Sequence, residues 1–148
     1  MELDDLYQQI ILDHNKKRAG YGLHPGGFPS HQYNPTCGDE LTLTVRLSED
    51  GATITAFEWE GKGCSISQAS ASLMTSEAAG MSVIEFESFA NGFRDAMRSR
   101  GTIALSEDEY GDLAALSGVS KFVARVKCAM LAWVAAEDSL ILTRKSLN

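Results

Sequence analysis

Residues 41–60 have the sequence LTLTVRLSEDGATITAFEWE, and this stretch decides the predicted fold. The apolar side chains at positions 41, 43, 45 and 47 alternate with polar ones, which is the period of a strand with one buried face. Residues 48–51 (SEDG) are typical of a hairpin turn, and residues 53–60 are rich in β-branched and aromatic side chains. The sequence therefore predicts an antiparallel hairpin in the first half of the chain.

Two segments of different character precede this hairpin. Residues 2–18 carry apolar side chains on one helical stripe, with acidic residues at the start and basic ones at 16–18, so we predict a helix that Gly20 caps. His14 lies on this stripe and is expected to be a hydrogen-bonded core histidine rather than a ligand. Residues 20–36 contain several glycines and all three prolines, and they are predicted to be a loop without secondary structure.

Helical patterns dominate the rest of the chain. Three matches to the capping box, in which a serine is followed three residues later by Glu or Gln, predict helix starts at Ser65 (with Gln68), Ser82 (with Glu85) and Ser106 (with Glu109). The last helix is predicted over residues 120–142, with a buried stripe of Phe122, Val126, Met130 and Trp133. The predicted fold class is α+β, with an N-terminal helix, a small antiparallel sheet and a helical C-terminal half.

Length and composition narrow the functional classes. With 148 residues, 44% hydrophobic and 22% charged, the chain is expected to form one globular domain over residues 1–148. A formal charge of −7 argues against non-specific nucleic-acid binding, which needs a basic face. The acidic start does not resemble a signal peptide, and no stretch approaches the roughly 20 apolar residues of a membrane span. We therefore expect a cytoplasmic protein that binds neither nucleic acid nor membrane.

Three cysteines far apart in the sequence are the most informative residues for function: Cys37, Cys64 and Cys128. An odd number of cysteines in a chain expected to be cytoplasmic fits a disulfide framework poorly. The spacing alone is a weak metal signal, because no C-x-x-C pair is present. If the three thiols act together, the fold must gather them, as a thiolate-rich metal or sulfur-handling site requires.

Each cysteine taken alone has a structural and a chemical interpretation. Free cysteines are among the most buried residues, and Cys128 in an apolar context fits that role best. Cys37 lies in a Pro/Gly/Asp turn before an expected edge strand, so it should be at the surface. Cys64 precedes a predicted helix start, where the helix dipole would lower its pKa, and Arg125 near Cys128 would favour that thiolate. Asp39 by itself is expected to be a solvated turn residue.

The local contexts of the cysteines resemble a known family when they are taken together. NPTCGD at 34–39, GCSIS at 63–67, and LSGV at 116–119 followed by RVKCA at 125–129 are similar to the SufU-type branch of the IscU/NifU-like iron–sulfur cluster assembly proteins. LDHN at 12–15 extends the resemblance over nearly the whole chain. Lys127 stands where the IscU-like scaffold branch has histidine, and residues 101–118 look like the insertion of the SufU-type branch. Val123 departs from the family, since many relatives have proline there.

The resemblance implies a metal site made by four residues: Cys37, Asp39, Cys64 and Cys128. Three thiolates and one carboxylate suit tetrahedral Zn²⁺, and the nearby basic residues Lys121, Arg125 and Lys127 would offset part of the remaining negative charge. On this hypothesis Asp39 is a ligand rather than a solvated turn residue. A site with no open position would ordinarily be structural, but a carboxylate ligand and a cysteine on a loop favour ligand exchange.

The implied function is sulfur transfer during iron–sulfur cluster assembly. Members of the branch resemble one another in accepting persulfide sulfur from a pyridoxal-phosphate-dependent cysteine desulfurase of the SufS type. The resemblance then implies that Cys37 leaves the zinc and attacks the persulfide, and that Arg125 helps to dock the partner or to exchange ligands. Downstream iron–sulfur assembly proteins would be further partners, and the pyridoxal cofactor would belong to the desulfurase.

Two other functions are left open by the sequence. The same four ligands could hold a nascent [2Fe–2S] cluster for delivery to apo-proteins, although Lys127 in place of histidine makes this scaffold role less favoured. A third hypothesis is a zinc-stabilised interaction module without sulfur chemistry.

Overall fold

The computed structural model describes residues 3–147. Its helices and strands follow in the order α1 (Leu3–Lys17), β1 (Ser30–Asn34), β2 (Asp39–Leu47), β3 (Ile54–Lys62), α2 (Ser65–Ala78), α3 (Val83–Arg98), α4 (Glu107–Tyr110), a 3₁₀ segment (Gly111–Lys121) and α5 (Val123–Ser146). The predicted α+β class is confirmed, with a helix first, an antiparallel sheet next and helices afterwards. The predicted start of the first helix at residue 2 lies outside the described residues.

The sheet is antiparallel, with strand order β1-β2-β3. The β2–β3 hairpin is confirmed, and its turn is closed by Gly51 N, which donates to Ser48 O at 2.8 Å. Gly51 has a φ of 73°, a conformation that glycine adopts without steric cost. The alternating side chains of β2 point into the core as predicted, with Leu41 and Leu43 at most 1% exposed. This sheet is the platform on which the helices pack.

One strand was not predicted. The loop prediction for residues 20–36 is wrong at Ser30–Asn34, which form β1 and pair with β2. Burial alternates along β1, but the inward side chains are Ser30, Gln32 and Asn34, so hydrophobic alternation gives no signal. β2 is consequently a central strand rather than an edge strand, and residues 35–38 form the hairpin loop between β1 and β2.

The last helix buries a broader face than the stripe that was predicted. Trp133 is fully buried and stacks on Phe93 at 4.2 Å between ring centroids, but Phe122 is 53% exposed. The buried face instead consists mainly of small residues and includes Cys128: Ala129, Ala132, Ala135, Ala136 and Ser139. Small side chains allow α5 to pack closely against the sheet, and Ser139 Oγ accepts a hydrogen bond from Val45 N at 2.9 Å. The predicted stripe is therefore confirmed at Trp133, is half-buried against the core at Val126 and Met130, and is wrong at Phe122.

The predicted helix starts are only partly confirmed. The capping box of Ser82 and Glu85 is present in both directions. α4 begins after Ser106, but that side chain makes no capping hydrogen bond. The box predicted for Ser65 is wrong because Cys64 occupies the N-cap and its N–H is bound by Asp39 instead.

The C-terminal end of α1 and the start of α5 also bear on the sequence predictions. The left-handed position directly after α1 is Arg18, with φ of 48°, so the predicted cap at Gly20 is wrong. Val123 is the first residue of α5 and is exposed, so the departure from proline leaves the helix start in place.

No helix within residues 3–147 is both long and apolar enough to cross a membrane.

Replacing Gln68 with methionine is expected to stabilise the protein. Gln68 is 4% exposed, and neither its Nε2 nor its Oε1 has a hydrogen-bond partner among the described residues. Burying unpaired polar atoms costs roughly 1–3 kcal/mol, and methionine has a similar shape without them. We expect Gln68→Met to raise the free energy of unfolding by about 1–2 kcal/mol in urea titrations. A lower stability for this variant would show that Gln68 has a partner in solution.

Protonation of His14 is expected to destabilise the fold. The prediction of a core histidine is confirmed, since His14 is 7% exposed and its Nδ1 lies 2.8 Å from Ser72 Oγ. Burial, with a smaller contribution from Lys17, lowers the pKa of His14 below its usual value, while Asp112, Glu77 and Asp13 oppose this shift.

A lowered pKa means that the unfolded chain binds this proton more readily than the folded protein does. The stabilisation is therefore complete above the unfolded pKa of about 6.5 and is lost as the pH falls towards the folded pKa. We expect the unfolding free energy to decrease between pH 7.5 and 5.5, and His14→Gln to reduce this decrease. The exposed His24→Gln variant is the control, and an unchanged slope for His14→Gln would contradict the prediction.

Candidate metal centre

The β1–β2 hairpin places two of the predicted site residues. Cys37 is exposed in the hairpin loop of residues 35–38. The loop is closed by Gly38 N, which donates to Asn34 O at 2.8 Å, and Gly38 has a φ of 75°. Asp39 is the first residue of β2 and is only 1% exposed, so the expectation of a solvated turn residue is wrong. One hairpin therefore carries an exposed thiol next to a buried carboxyl group.

Two helices bring the other cysteines to this hairpin. Cys64 is the N-cap of α2 and is exposed. Cys128 lies on the buried face of α5 and is 3% exposed, as the structural interpretation of this residue predicted. The exposed thiols are thus on a loop and at a helix start, and the buried one is on a long helix.

The structure brings the four predicted site residues together. The Sγ atoms of Cys37 and Cys128 are 3.6 Å apart, and one carboxylate oxygen of Asp39 lies within 4.8 Å of both sulfurs. Cys64 Sγ is 3.6 Å from Asp39 Oδ2, and Cys64 N donates to Asp39 Oδ1 at 2.8 Å. Asp39 therefore links the hairpin to the start of α2 through Oδ1, and its Oδ2 faces the thiol of Cys64.

This donor set suits a tetrahedral, borderline-soft metal ion. Two thiolates bound to zinc at about 2.3 Å lie about 3.8 Å apart in a tetrahedral site. The sulfur–sulfur distance between Cys37 and Cys128, 3.6 Å, is close to that value. Three sulfur donors and one oxygen donor are also the ligand types that zinc accepts. Cys37, Asp39 and Cys128 fit zinc by both chemistry and spacing, and Cys64 offers a third sulfur donor 3.6 Å from Asp39 Oδ2.

The electrostatics of Cys128 differ from the sequence expectation. Burial raises the pKa of the Cys128 thiol well above its usual value, and the neighbouring Asp39, Cys64 and Cys37 raise it further. Arg125 does not favour the thiolate as expected, because it is exposed and its guanidinium lies 4.9 Å from the centre of the Phe122 ring. A raised pKa opposes deprotonation of Cys128, so binding of a metal ion to its thiolate would release a proton.

A groove leads from the surface to the three thiols. Its volume is about 950 Å³, and its lining includes α1, the start of α2, the 3₁₀ segment and the start of α5. Ile11, Ile66 and Phe122 make part of the lining apolar, and Arg125 provides a positive charge. The insertion of residues 101–118 contributes Ala115 and Gly118 to this groove. The exposed thiols of Cys37 and Cys64 and the buried thiol of Cys128 all contribute to its lining.

Gly63 was not identified from the sequence as part of the site. A Cβ at this position would lie 2.7 Å from Asp39 Cγ and 2.9 Å from Ser67 Oγ. The missing side chain therefore creates the space that the Asp39 carboxylate occupies beside Cys64. The only sequence signal was the Gly-Cys pair itself, which does not show what the glycine faces.

Gly63→Ala is expected to weaken metal binding. The added methyl group would displace the Asp39 carboxylate, and such changes to ligand positioning typically cost 10–100-fold in metal affinity. The measurement is competition for Zn²⁺ with a chromophoric chelator. Gly118→Ala is the matched control, since its Cβ would meet nothing within 4 Å. Equal zinc affinity for Gly63→Ala and the wild type would show that Asp39 does not need this space.

Comparison with protein families matches residues 6–129 to the NifU-like N-terminal domain. Because this match covers most of the chain, the protein belongs to the NifU-like N-terminal domain family, which is a family of iron–sulfur cluster assembly proteins.

Individual relatives specify the branch. The chain is 43% identical over 138 residues to the zinc-dependent sulfurtransferase SufU of Bacillus subtilis strain 168, covering 93% of this chain and 91% of that protein. It is 37% identical over 139 residues to the iron–sulfur cluster assembly scaffold protein IscU of Streptococcus pyogenes serotype M1, covering 94% and 85%. A candidate SUF-system scaffold protein from Fervidobacterium islandicum AW-1 superposes with a TM-score of 0.77 at 28% identity, covering 94% and 99%. These similarities confirm the SufU-type resemblance.

Proposed function

We propose that this protein is a zinc-dependent sulfur acceptor in iron–sulfur cluster assembly, acting as one domain over residues 1–148 in the cytoplasm. Its sulfur donor would be a pyridoxal-phosphate-dependent cysteine desulfurase of the SufS type, and downstream assembly proteins would receive the sulfur. The observation that carries the proposal is Cys37, an exposed thiol on a short loop whose sulfur touches the buried Cys128. The relative that is named a zinc-dependent sulfurtransferase supports it.

The four gathered residues would hold zinc together: Cys37, Asp39, Cys64 and Cys128. When bound, zinc keeps its thiol ligands deprotonated at neutral pH. The four residues differ in their surroundings, because Asp39 and Cys128 are buried whereas Cys37 lies exposed on the loop of residues 35–38. Cys37 can therefore move towards a partner while the other three residues stay in place.

The sulfur-transfer step would be ordinary thiol exchange. The Cys37 thiolate attacks the outer sulfur of the persulfide on the desulfurase, the sulfur–sulfur bond breaks, and the partner's cysteine leaves as a thiolate. Cys37 then carries the persulfide. Arg125 lines the groove beside this thiol and offers a charged donor, which suits a role in docking the partner or in ligand exchange.

The test is desulfurase turnover, measured as alanine released from cysteine, with and without the zinc-loaded protein. We expect strong stimulation by the wild-type protein and a smaller stimulation by Arg125→Ala. If the protein does not change turnover, the proposed sulfur transfer is wrong. Chelation that unfolds the protein but leaves turnover unchanged would indicate a zinc-stabilised interaction module instead.

A scaffold for a [2Fe–2S] cluster is the second candidate function. The donor set can bind iron as well as zinc, and the Streptococcus relative is named an assembly scaffold. Lys127 is exposed and carries no ligand atom that could replace the histidine of IscU-like scaffolds. The colour of the purified protein separates the two functions, because a cluster is brown and zinc is colourless.

A further inference from the structure

Asn34 is a buried polar residue beside the candidate metal centre. It ends β1 directly opposite Asp39, the first residue of β2, and it is 6% exposed. Side chains alternate between the two faces of a strand, so Asn34 shares the buried face of the sheet with Asp39. Cβ atoms of directly opposite residues lie about 4.5–5.5 Å apart. Asn34 and Asp39 therefore lie directly opposite each other on the same face of the sheet.

The oxygen atoms of Asn34 hold the loop that carries Cys37. Oδ1 accepts a hydrogen bond from Thr36 N at 3.2 Å, and the backbone O accepts one from Gly38 N at 2.8 Å. These two amides flank Cys37 on either side. The bond from Thr36 N also fixes the orientation of the carboxamide, because only the oxygen can accept it.

The nitrogen atom of the same carboxamide makes no hydrogen bond to the described residues. Nδ2 is buried, and no acceptor among residues 3–147 binds it. Buried donors without a partner cost free energy and are rare in folded proteins. The ligands of the candidate metal centre become negatively charged when they bind a metal ion. The unpaired Nδ2, on the residue directly opposite Asp39, is placed to donate a hydrogen bond to one of them.

We propose that Asn34 is a positioning residue of the metal centre. Its Oδ1 keeps the Cys37 loop in place, and its Nδ2 donates a hydrogen bond to the anionic ligand set formed when the site takes up zinc. The recipient is the Asp39 carboxylate or a cysteine thiolate, all of which lose their negative charge on protonation. This inference rests on the proposed function only through the metal, since it concerns binding and not sulfur transfer. Groups that orient metal ligands in this way typically change metal affinity 10–100-fold.

The test compares two substitutions of Asn34 with a matched control. Asn34→Ala removes both the acceptor and the donor, whereas Asn34→Ser keeps an oxygen that can accept from Thr36 N. Gln32→Ala is the control, because Gln32 is an amide on the same face of β1 whose Nε2 donates to Ser30 Oγ at 3.0 Å. Zinc affinity is measured by chelator competition at one pH, and the rate of Cys37 alkylation is measured in the metal-free proteins.

We expect Asn34→Ala to weaken zinc binding 10–100-fold and to accelerate alkylation of Cys37. Asn34→Ser should restore a slow alkylation rate but not the zinc affinity, and Gln32→Ala should change neither. Urea unfolding of the metal-free variants tests for a merely structural role. If Asn34 acts on the metal site, the unfolding free energies will not follow the same order as the zinc affinities.

Three results would overturn the inference: zinc affinity of Asn34→Ala within twofold of the wild type, equal losses for Asn34→Ala and Gln32→Ala, or zinc affinities that follow the order of metal-free stability. In each of them the wild type still binds zinc, so the proposed function stands. If the wild type itself binds no zinc, the proposed function fails, and the inference about Asn34 fails with it.

Discussion

Cys37→Ser is expected to abolish persulfide uptake from the desulfurase. A serine hydroxyl is not ionised at neutral pH and is a far weaker nucleophile towards sulfur, so the loading rate should fall by roughly a hundredfold or more. Serine fits the exposed loop, and the fold should remain intact. The measurement is the mass gain after incubation with the desulfurase and cysteine, which is about 32 Da for one added sulfur atom.

Cys64→Ser is the informative comparison for this result. Cys64 is the other exposed cysteine, and it lies at the start of α2 with its sulfur facing Asp39, not on the β1–β2 loop. We expect Cys64→Ser to bind zinc more weakly and still accept some sulfur on Cys37. Wild-type loading of Cys37→Ser, together with loss of loading in Cys64→Ser, would assign the acceptor role to Cys64.

Removal of zinc is expected to produce the largest change in stability. The metal would join the β1–β2 hairpin, the start of α2 and α5, which are far apart in the sequence. A ligand present at a thousand times its dissociation constant stabilises the folded state by about 4 kcal/mol. For a chain of this size, that corresponds to a fall in Tm of roughly 8–16 °C after chelation. Differential scanning calorimetry with and without chelator measures it.

Cys128→Ser is the control for the effect of zinc. Cys128 connects α5 to the site, and its replacement should lower the Tm of the zinc-loaded protein towards that of the chelated wild type. Chelation should then have little further effect on the variant. If chelation leaves the Tm of the wild type unchanged, the four residues do not hold a stabilising metal.

Local sequence patterns were reliable where the structure depends on neighbouring residues. The β2–β3 hairpin follows from alternation and a turn, and the capping box of Ser82 forms as expected. The local patterns failed where contacts between residues distant in sequence determine the structure. β1 has no hydrophobic signal and exists because it pairs with β2. The capping box predicted for Ser65 does not form, because Cys64 is the N-cap of α2 and its N–H donates to Asp39.

In the candidate site, too, some residues could be predicted from local motifs and others could not. The motifs around Cys37, Cys64 and Cys128 predicted the four residues through their family resemblance, and the structure places them next to one another. Gly63 could not be recognised, because its role depends on a carboxylate that arrives from another strand. The carboxamide of Asn34 could not be recognised either, since its neighbour across the sheet was unknown until β1 was found.

The sequence by itself determined the α+β class, the central hairpin, the family and the four residues proposed to bind a metal, because these depend on local patterns and motifs. Only the tertiary structure decided which small residues complete the buried face of α5, that burial raises the pKa of the Cys128 thiol, and that Gly63 leaves space for the Asp39 carboxylate opposite Asn34. Burial and desolvation are properties of the packed chain. They depend on contacts between residues distant in sequence, and no local pattern contains them.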